Sequence, residues 1–194
     1  MIETYILPIL LGLGLAASTG LRTFLPMLML AGAARFHLFG IKLNHAMAWL
    51  TSDVAMIALG AATLIELIGD KIPAVDHVLH AIGFVTRPLA AAAAAYAVFG
   101  GMDPTVAAIA AVIVGAPTAL AFNAAQGGTR LASTATTGGL GNPVVSTIED
   151  GLSIGTVLIA FLAPVLIPVI LLALLWLVFF LASRLKRSPR STPA

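Results

Sequence analysis

The chain has 194 residues, 60% of them hydrophobic and 9% charged, and a formal net charge of +2. Soluble domains run at about 45–50% apolar and about 25% charged, so so few charges exclude an ordinary water-soluble domain. The lack of cysteine excludes disulfides and thiolate metal sites, and the length suits a single transmembrane domain over 1–186 with a basic tail over 187–194.

Met1-Ile2-Glu3-Thr4-Tyr5 lacks the basic start of a secretory signal peptide, so the first apolar stretch, Tyr5 to Ala17, reads as a retained helix. It is short for a span, which takes about 20 residues. Ser18-Thr19-Gly20-Leu21-Arg22-Thr23 follows, then Phe24-Leu25-Pro26 and more apolar sequence to Ala34. An arginine and a proline amid apolar residues point to a broken helix or a re-entrant hairpin, which needs protein or a cavity around it at membrane depth.

Arg35 to Asp53 reads as an interfacial loop with a short amphipathic helix and Trp49 at headgroup level. Val54 to Ile68 is a span. The alanine-rich stretch to Phe99 lets helix backbones approach closely. Gly100-Gly101-Met102-Asp103-Pro104 is a turn, with Asp103 or Thr105 as a helix cap.

Thr105 to Phe122 is another span. Asn123 to Pro143 is rich in Gly, Ser and Thr around Arg130, and reads as re-entrant or broken. Gly151 to Ser183 carries no charge. As one helix it would reach roughly 50 Å, against a hydrocarbon core of about 30 Å, so Pro164 and Pro168 are expected to kink or divide it. The tail residues Arg184, Lys186, Arg187 and Arg190 point to a cytoplasmic C-terminus rather than to a nucleic-acid patch. The fold class is therefore an all-α integral membrane bundle of about five or six hydrophobic segments with re-entrant or broken helices. Ala17-Ser18-Thr19-Gly20 near Arg22 and Ala132-Ser133-Thr134-Ala135 near Arg130 look alike, which leaves an inverted repeat open.

Charge inside so apolar a protein is the sharpest chemical signal, because a charged side chain at the bilayer centre costs at least about 2.5–3.5 kcal/mol. Glu66 and Asp70 share one helix face at i,i+4 spacing, and Asp76 and His80 share another beyond Pro73. With His77 they suit a hard cation or a proton relay. For Lys71 and His80 a solvated turn at the membrane edge is the favoured reading. Glu149 and Asp150 either cap the helix they open or share a site with the first cluster. Arg22, Arg87 and Arg130 balance these acids as internal pairs, or hold a phosphate or carboxylate. Thr136-Thr137-Gly138-Gly139-Leu140-Gly141, followed by Asn142, can form an anion-binding nest or expose carbonyls to a cation, and also reads as a flexible re-entrant tip. It lacks the Lys-Ser/Thr ending of a nucleotide-binding loop. No enzyme motif stands out, and no cofactor is implied.

Glu66-Leu-Ile-Gly-Asp70-Lys-Ile-Pro73-Ala-Val-Asp76-His77, Thr86-Arg87-Pro88 and Thr137-Gly-Gly-Leu-Gly-Asn-Pro143-Val-Val-Ser-Thr-Ile-Glu149-Asp150 resemble a bacterial membrane family catalogued as domain of unknown function 4126. The resemblance covers nearly the whole chain. It implies a multi-pass inner-membrane protein and no particular activity. Glu66 to Lys71 also resembles the Glu-x-Gly-Asp-Lys motif of a cation/proton exchanger family that moves manganese and calcium. One extra residue precedes Gly69 here, and Ile72 stands where that motif has serine or threonine.

The leading expectation is a small transporter or channel for a cation, proton-coupled or divalent. Glu66, Asp70, Asp76, His77, Glu149 and Asp150 would be its acids and relay, with Arg22, Arg87 and Arg130 balancing charge. The alternatives are a lipid or polyprenyl-phosphate translocase and a non-transporting assembly factor. The expected partners are the bilayer and a small ion or lipid headgroup, with a homo-oligomer left open.

Overall fold

A computed structural model of the protein describes residues 2–174 and Trp176. The side chains of Pro73, Ala74 and His77 lie outside that description, as does the basic tail over 187–194.

Every secondary-structure element among the described residues is a helix. A π-helical turn, Ile2–Ile6, leads into α1, Leu7–Leu21. Then come α2 (Leu25–Arg35), α3 (Asp53–Gly69), α4 (Pro73–Val98), α5 (Pro104–Thr137) and α6 (Asn142–Leu162). Four helices are long and apolar enough to cross a membrane, or five if the pair His45–Thr51 and Asp53–Gly69, bent by 68°, counts as one span. This is a multi-pass membrane protein.

The centre of the bundle is α1. An apolar helix can face either lipid or other helices, and α1 faces helices, since residues 14–21 are all buried. Its small residues allow that enclosure. Gly20 faces Ala119 and Phe122 of α5, while Gly12 faces Ala95 and Phe99. Gly115 of α5 lies against the backbone of Ala91 and Ala92 in α4, so close that an added Cβ would stand 2.7 Å from the Ala92 nitrogen. Close approach of this kind replaces the hydrophobic effect as the glue between helices in lipid. Ser18 of α1 meets Ser153 of α6, Oγ to Oγ at 2.7 Å.

These contacts set the directions. Gly14 and Ser18 of α1 face Ala160 and Ser153 of α6, so those helices are antiparallel. Gly115 beside Ala91, and Arg130 beside Asp76, make α4 and α5 antiparallel as well.

The chain breaks after α1 as the Arg22–Pro26 pattern leads one to expect, although the helix runs on through Ser18, Thr19 and Gly20 to Leu21. Irregular backbone inside a bundle must be enclosed by protein, and Arg22 and Thr23 are buried. Two short 3-10 turns, Leu38–Gly40 and His45–Thr51, form the loop before α3, with Asn44 capping the second through the Met47 amide. Phe36, Leu38, Phe39 and Trp49 are exposed there, as suits a membrane interface. Asp103 caps α5 through the amides of Thr105 and Val106. After Leu162 a turn at Pro164–Leu166 divides the last apolar run, as the prolines require.

One expectation is corrected. Residues 123–143 form no re-entrant segment. They continue α5 as far as Thr137, and the reversal is confined to a turn at Gly138–Gly141. At 34 residues α5 is about 50 Å long. Its small and polar residues serve helix packing: Ala107, Ala111, Gly115, Ala119, Asn123, Gln126 and Arg130 make one buried stripe at spacings of three and four. The segments that look alike in sequence have different surroundings, since Ser18 is fully buried within α1 whereas Ala132, Thr134 and Ala135 are exposed on α5.

Candidate functional site

The buried charges converge at one end of the bundle. There the break after α1, the α3–α4 turn, the last third of α5 and the first half of α6 meet. Arg22, Glu66, Asp70, Asp76, Arg87, Arg130 and Glu149 are all buried, and Asp150 is half-buried at the rim.

Arg22 is 0% exposed. It sits where α1 stops, so its guanidinium extends past the helix end into the gap between α3 and α6. It pairs with Asp70, donates from Nε to Asp150 at 2.5 Å, and donates from Nη2 to the Ser146 carbonyl and hydroxyl, each at 2.9 Å. Arg130 pairs with Asp76, with Asp70 at 3.2 Å and with Glu149 at 2.7 Å. Lys71 reaches Asp150 at 3.4 Å from the exposed side. A buried ion has to be paired and hydrogen-bonded to offset its desolvation. The planar five-donor fork of arginine does this for two or three acceptors at once.

Glu66 makes no ion pair among the described residues. Its two oxygens accept the backbone N–H groups of Thr23 at 2.7 Å and Phe24 at 3.1 Å. Those amides precede α2 and have no partner within that helix. A carboxylate from α3 therefore caps the break.

Arg87 is buried with three neutral acceptors: the Gly20 carbonyl at 3.1 Å, Asn123 Oδ1 at 2.6 Å and Gln126 Oε1. Gln126 then donates from Nε2 to Glu149 Oε2 at 2.7 Å. Arg87, Gln126, Glu149, Arg130, Asp70, Arg22 and Asp150 thus form one continuous chain. Five carboxylates meet three guanidiniums and the Lys71 ammonium in this region, so acid is in excess by one.

Glu149 is 5% exposed. Its Oε2 takes Gln126 and Arg130, with Arg22 Nη2 3.7 Å away. Its Oε1 is buried and has no hydrogen-bond partner among the described residues. Glu149 also lines a cleft of about 200 Å³ between α5 and α6, otherwise walled mainly by apolar side chains including Leu21, Phe122, Ile148 and Leu152.

Other expected site residues lie apart. Thr137, Gly138, Gly139 and Asn142 occupy the exposed end of the α5–α6 connection. There the Thr137 hydroxyl donates to the Ser133 carbonyl at 2.7 Å and accepts the Gly141 amide at 2.9 Å, and Asn142 Nδ2 donates to Thr134 at 3.1 Å. Gly138 and Gly139 adopt φ values of 63° and 89°, which glycine tolerates best. The His77 side chain falls outside the described residues. Among those residues, no group of three or more His, Asp or Glu side chains is arranged to hold a metal ion.

The residues not anticipated are neutral. Asn123, Gln126 and Ser146 bind the charged groups. Their signal was helical spacing, since Asn123, Gln126 and Arg130 fall on one face of α5 and Ser146, Glu149 and Ser153 on one face of α6.

The family model of a domain of unknown function, DUF4126, matches residues 9–184. The chain belongs to this family. No curated protein and no solved structure matches it. The DUF4126 match takes in every residue of the charge network, from Arg22 at the end of α1 to Asp150 on α6.

Proposed function

We propose that this protein is a proton-coupled cation carrier of the bacterial inner membrane in which Glu149 is the exchanging carboxylate. The observation that carries this reading is Glu149 Oε1, buried without a hydrogen-bond partner among the described residues, in a cluster where carboxylates outnumber the arginines and Lys71 together. A buried carboxylate with an open lone pair and a cleft at its side can hold a proton in one state and a cation in the other. The remaining acids have structural employment: Glu66 caps α2, while Asp70 and Asp76 neutralise Arg22 and Arg130. The same saturation argues against a phosphate-headgroup translocase, because Arg22 and Arg130 already hold two or more carboxylates each. We assign the basic tail, Arg184 to Arg190, to the cytoplasmic side by the positive-inside rule.

The test is proton movement in proteoliposomes under imposed gradients of potassium, manganese or an alkylammonium ion, followed with an internal pH dye. The wild type is expected to move protons with at least one of these cations, and Glu149→Gln to fall to the level of empty liposomes. Unchanged movement in Glu149→Gln, or none in the wild type with any of them, contradicts the reading.

A second reading, a non-transporting assembly factor, is favoured by the internal pairing of Arg22 and Arg130. It predicts a stable co-purifying protein and no cation-dependent proton movement.

A further inference from the structure

We infer that the substrate of this carrier is a lipophilic ammonium ion that enters sideways from the bilayer, through the cleft between α5 and α6, and places its charged head on Glu149 Oε1. This rests on the carrier reading and adds the chemical class of the cargo and its route.

The shape and surroundings of the cleft argue for an apolar cargo. Its walls include Leu21, Ala121, Phe122, Ala125, Val145 and Leu152. Ile148 and Leu152, at its rim, are 57% and 41% exposed, on a surface whose neighbours Val144 and Leu131 are exposed apolar residues too. The mouth therefore opens onto hydrocarbon. A hydrated metal ion gains nothing there and would lose its water shell to aliphatic side chains. An alkyl chain crosses at no such cost.

The polar lining argues for a cation. Three lining residues are polar: Gln126, Thr129 and Glu149. The Gln126 amide is spent, its oxygen on Arg87 and its nitrogen on Glu149 and the Leu21 carbonyl. The Thr129 hydroxyl donates its proton to the Ala125 carbonyl at 3.0 Å, which leaves only lone pairs facing outward. Glu149 Oε1 is a buried acceptor with no donor among the described residues. Among the described residues the cleft thus offers acceptors and no free donor, which selects a head that donates. An ammonium satisfies the carboxylate with a charge-assisted bond, whereas an alcohol supplies a weaker neutral one and a phosphate or sulfate is repelled.

Because the chain has no cysteine, a Thr129→Cys variant carries one unique thiol in the cleft. The experiment measures its modification by N-ethylmaleimide in detergent micelles, with octylammonium, 1-octanol or octyl sulfate as the competing probe. Octylammonium is expected to slow modification about tenfold more than 1-octanol does, the margin of a charge-assisted hydrogen bond. That advantage should vanish when Glu149→Gln is added. A Val106→Cys thiol, on the exposed face at the other end of α5, should show no protection. Equal protection by octylammonium and 1-octanol overturns the inference, since the cleft would then hold any lipid tail. So does protection of Val106→Cys, which would mark general partitioning, or no protection at all. If potassium or manganese still drives Glu149-dependent proton flux while octylammonium does not protect, the cleft inference falls and the carrier reading stands. If Glu149→Gln changes neither flux nor protection, both fall.

Discussion

The Glu66 carboxylate takes the backbone N–H of Thr23 at 2.7 Å, across the space between α3 and the break that follows α1. Its other oxygen takes the Phe24 amide. Free amides at an interrupted helix inside an apolar bundle would each cost the desolvation of an unpaired donor, so Glu66 is what makes the interruption tolerable. Glu66→Ala should therefore destabilise the protein by about 1–3 kcal/mol, and Glu66→Gln by less, because a carboxamide keeps one acceptor oxygen. Thermal unfolding in micelles checks the order. Equal stability of all three proteins would show that the break is capped by something else.

Arg22 ties α1 to α3 and α6. Truncating it leaves Asp70 and Asp150 with less positive charge to face. Arg22→Met should cost roughly 3–5 kcal/mol. Adding Asp70→Asn should recover part of that loss, because the second change removes an acid the first left uncompensated. Denaturant unfolding of the two single variants and the double variant closes the cycle. Strict additivity would mean that the two residues are not coupled.

The glycines make a contrast that separates packing from propensity. A Cβ at Gly115 would meet Ala91 and Ala92 backbone atoms at 2.7–2.8 Å, and one at Gly20 would meet the Ala119 carbonyl at 2.6 Å. Backbone cannot swing aside as a side chain can, so Gly115→Ala and Gly20→Ala should each lose about 1–3 kcal/mol. Gly60 faces open space, and Gly60→Ala should be neutral or slightly stabilising. Melting temperatures of the three variants decide it.

Ser18 and Ser153 lie close enough to report the pairing of α1 with α6. In this cysteine-free chain, Ser18→Cys with Ser153→Cys should oxidise to an internal disulfide, visible as a mobility shift on non-reducing gels. Ser18→Cys with Val106→Cys should not. A cross-link in the second pair and none in the first would refute the antiparallel packing.

Membrane insertion was legible from composition, and the break near Arg22 and Pro26 from the cost of such residues in an apolar segment. The acids and arginines of the cluster were legible for the same reason. What they do was not, because a one-dimensional pattern cannot tell an acid that caps a distant helix, as Glu66 does, from one with an open oxygen, as Glu149 has. The stretch after Phe122 was misread for a different reason. Its glycines, serines and threonines are poor helix formers in water, yet here they stand mostly on the outer face of α5, where Thr129, Thr136 and Thr137 return their hydroxyls to carbonyls of the preceding turn. Treating it as broken hid the spacing that puts Asn123, Gln126 and Arg130 on one face.

The central claim is a division of labour, in which paired acids hold the helices and Glu149 exchanges its ion. Cation-driven proton flux by folded Glu149→Gln in proteoliposomes tests it most directly, with retention of the wild-type melting profile as the control for folding. The account predicts a protein that folds and moves no protons. A folded Glu149→Gln that carries cations at the wild-type rate would contradict it.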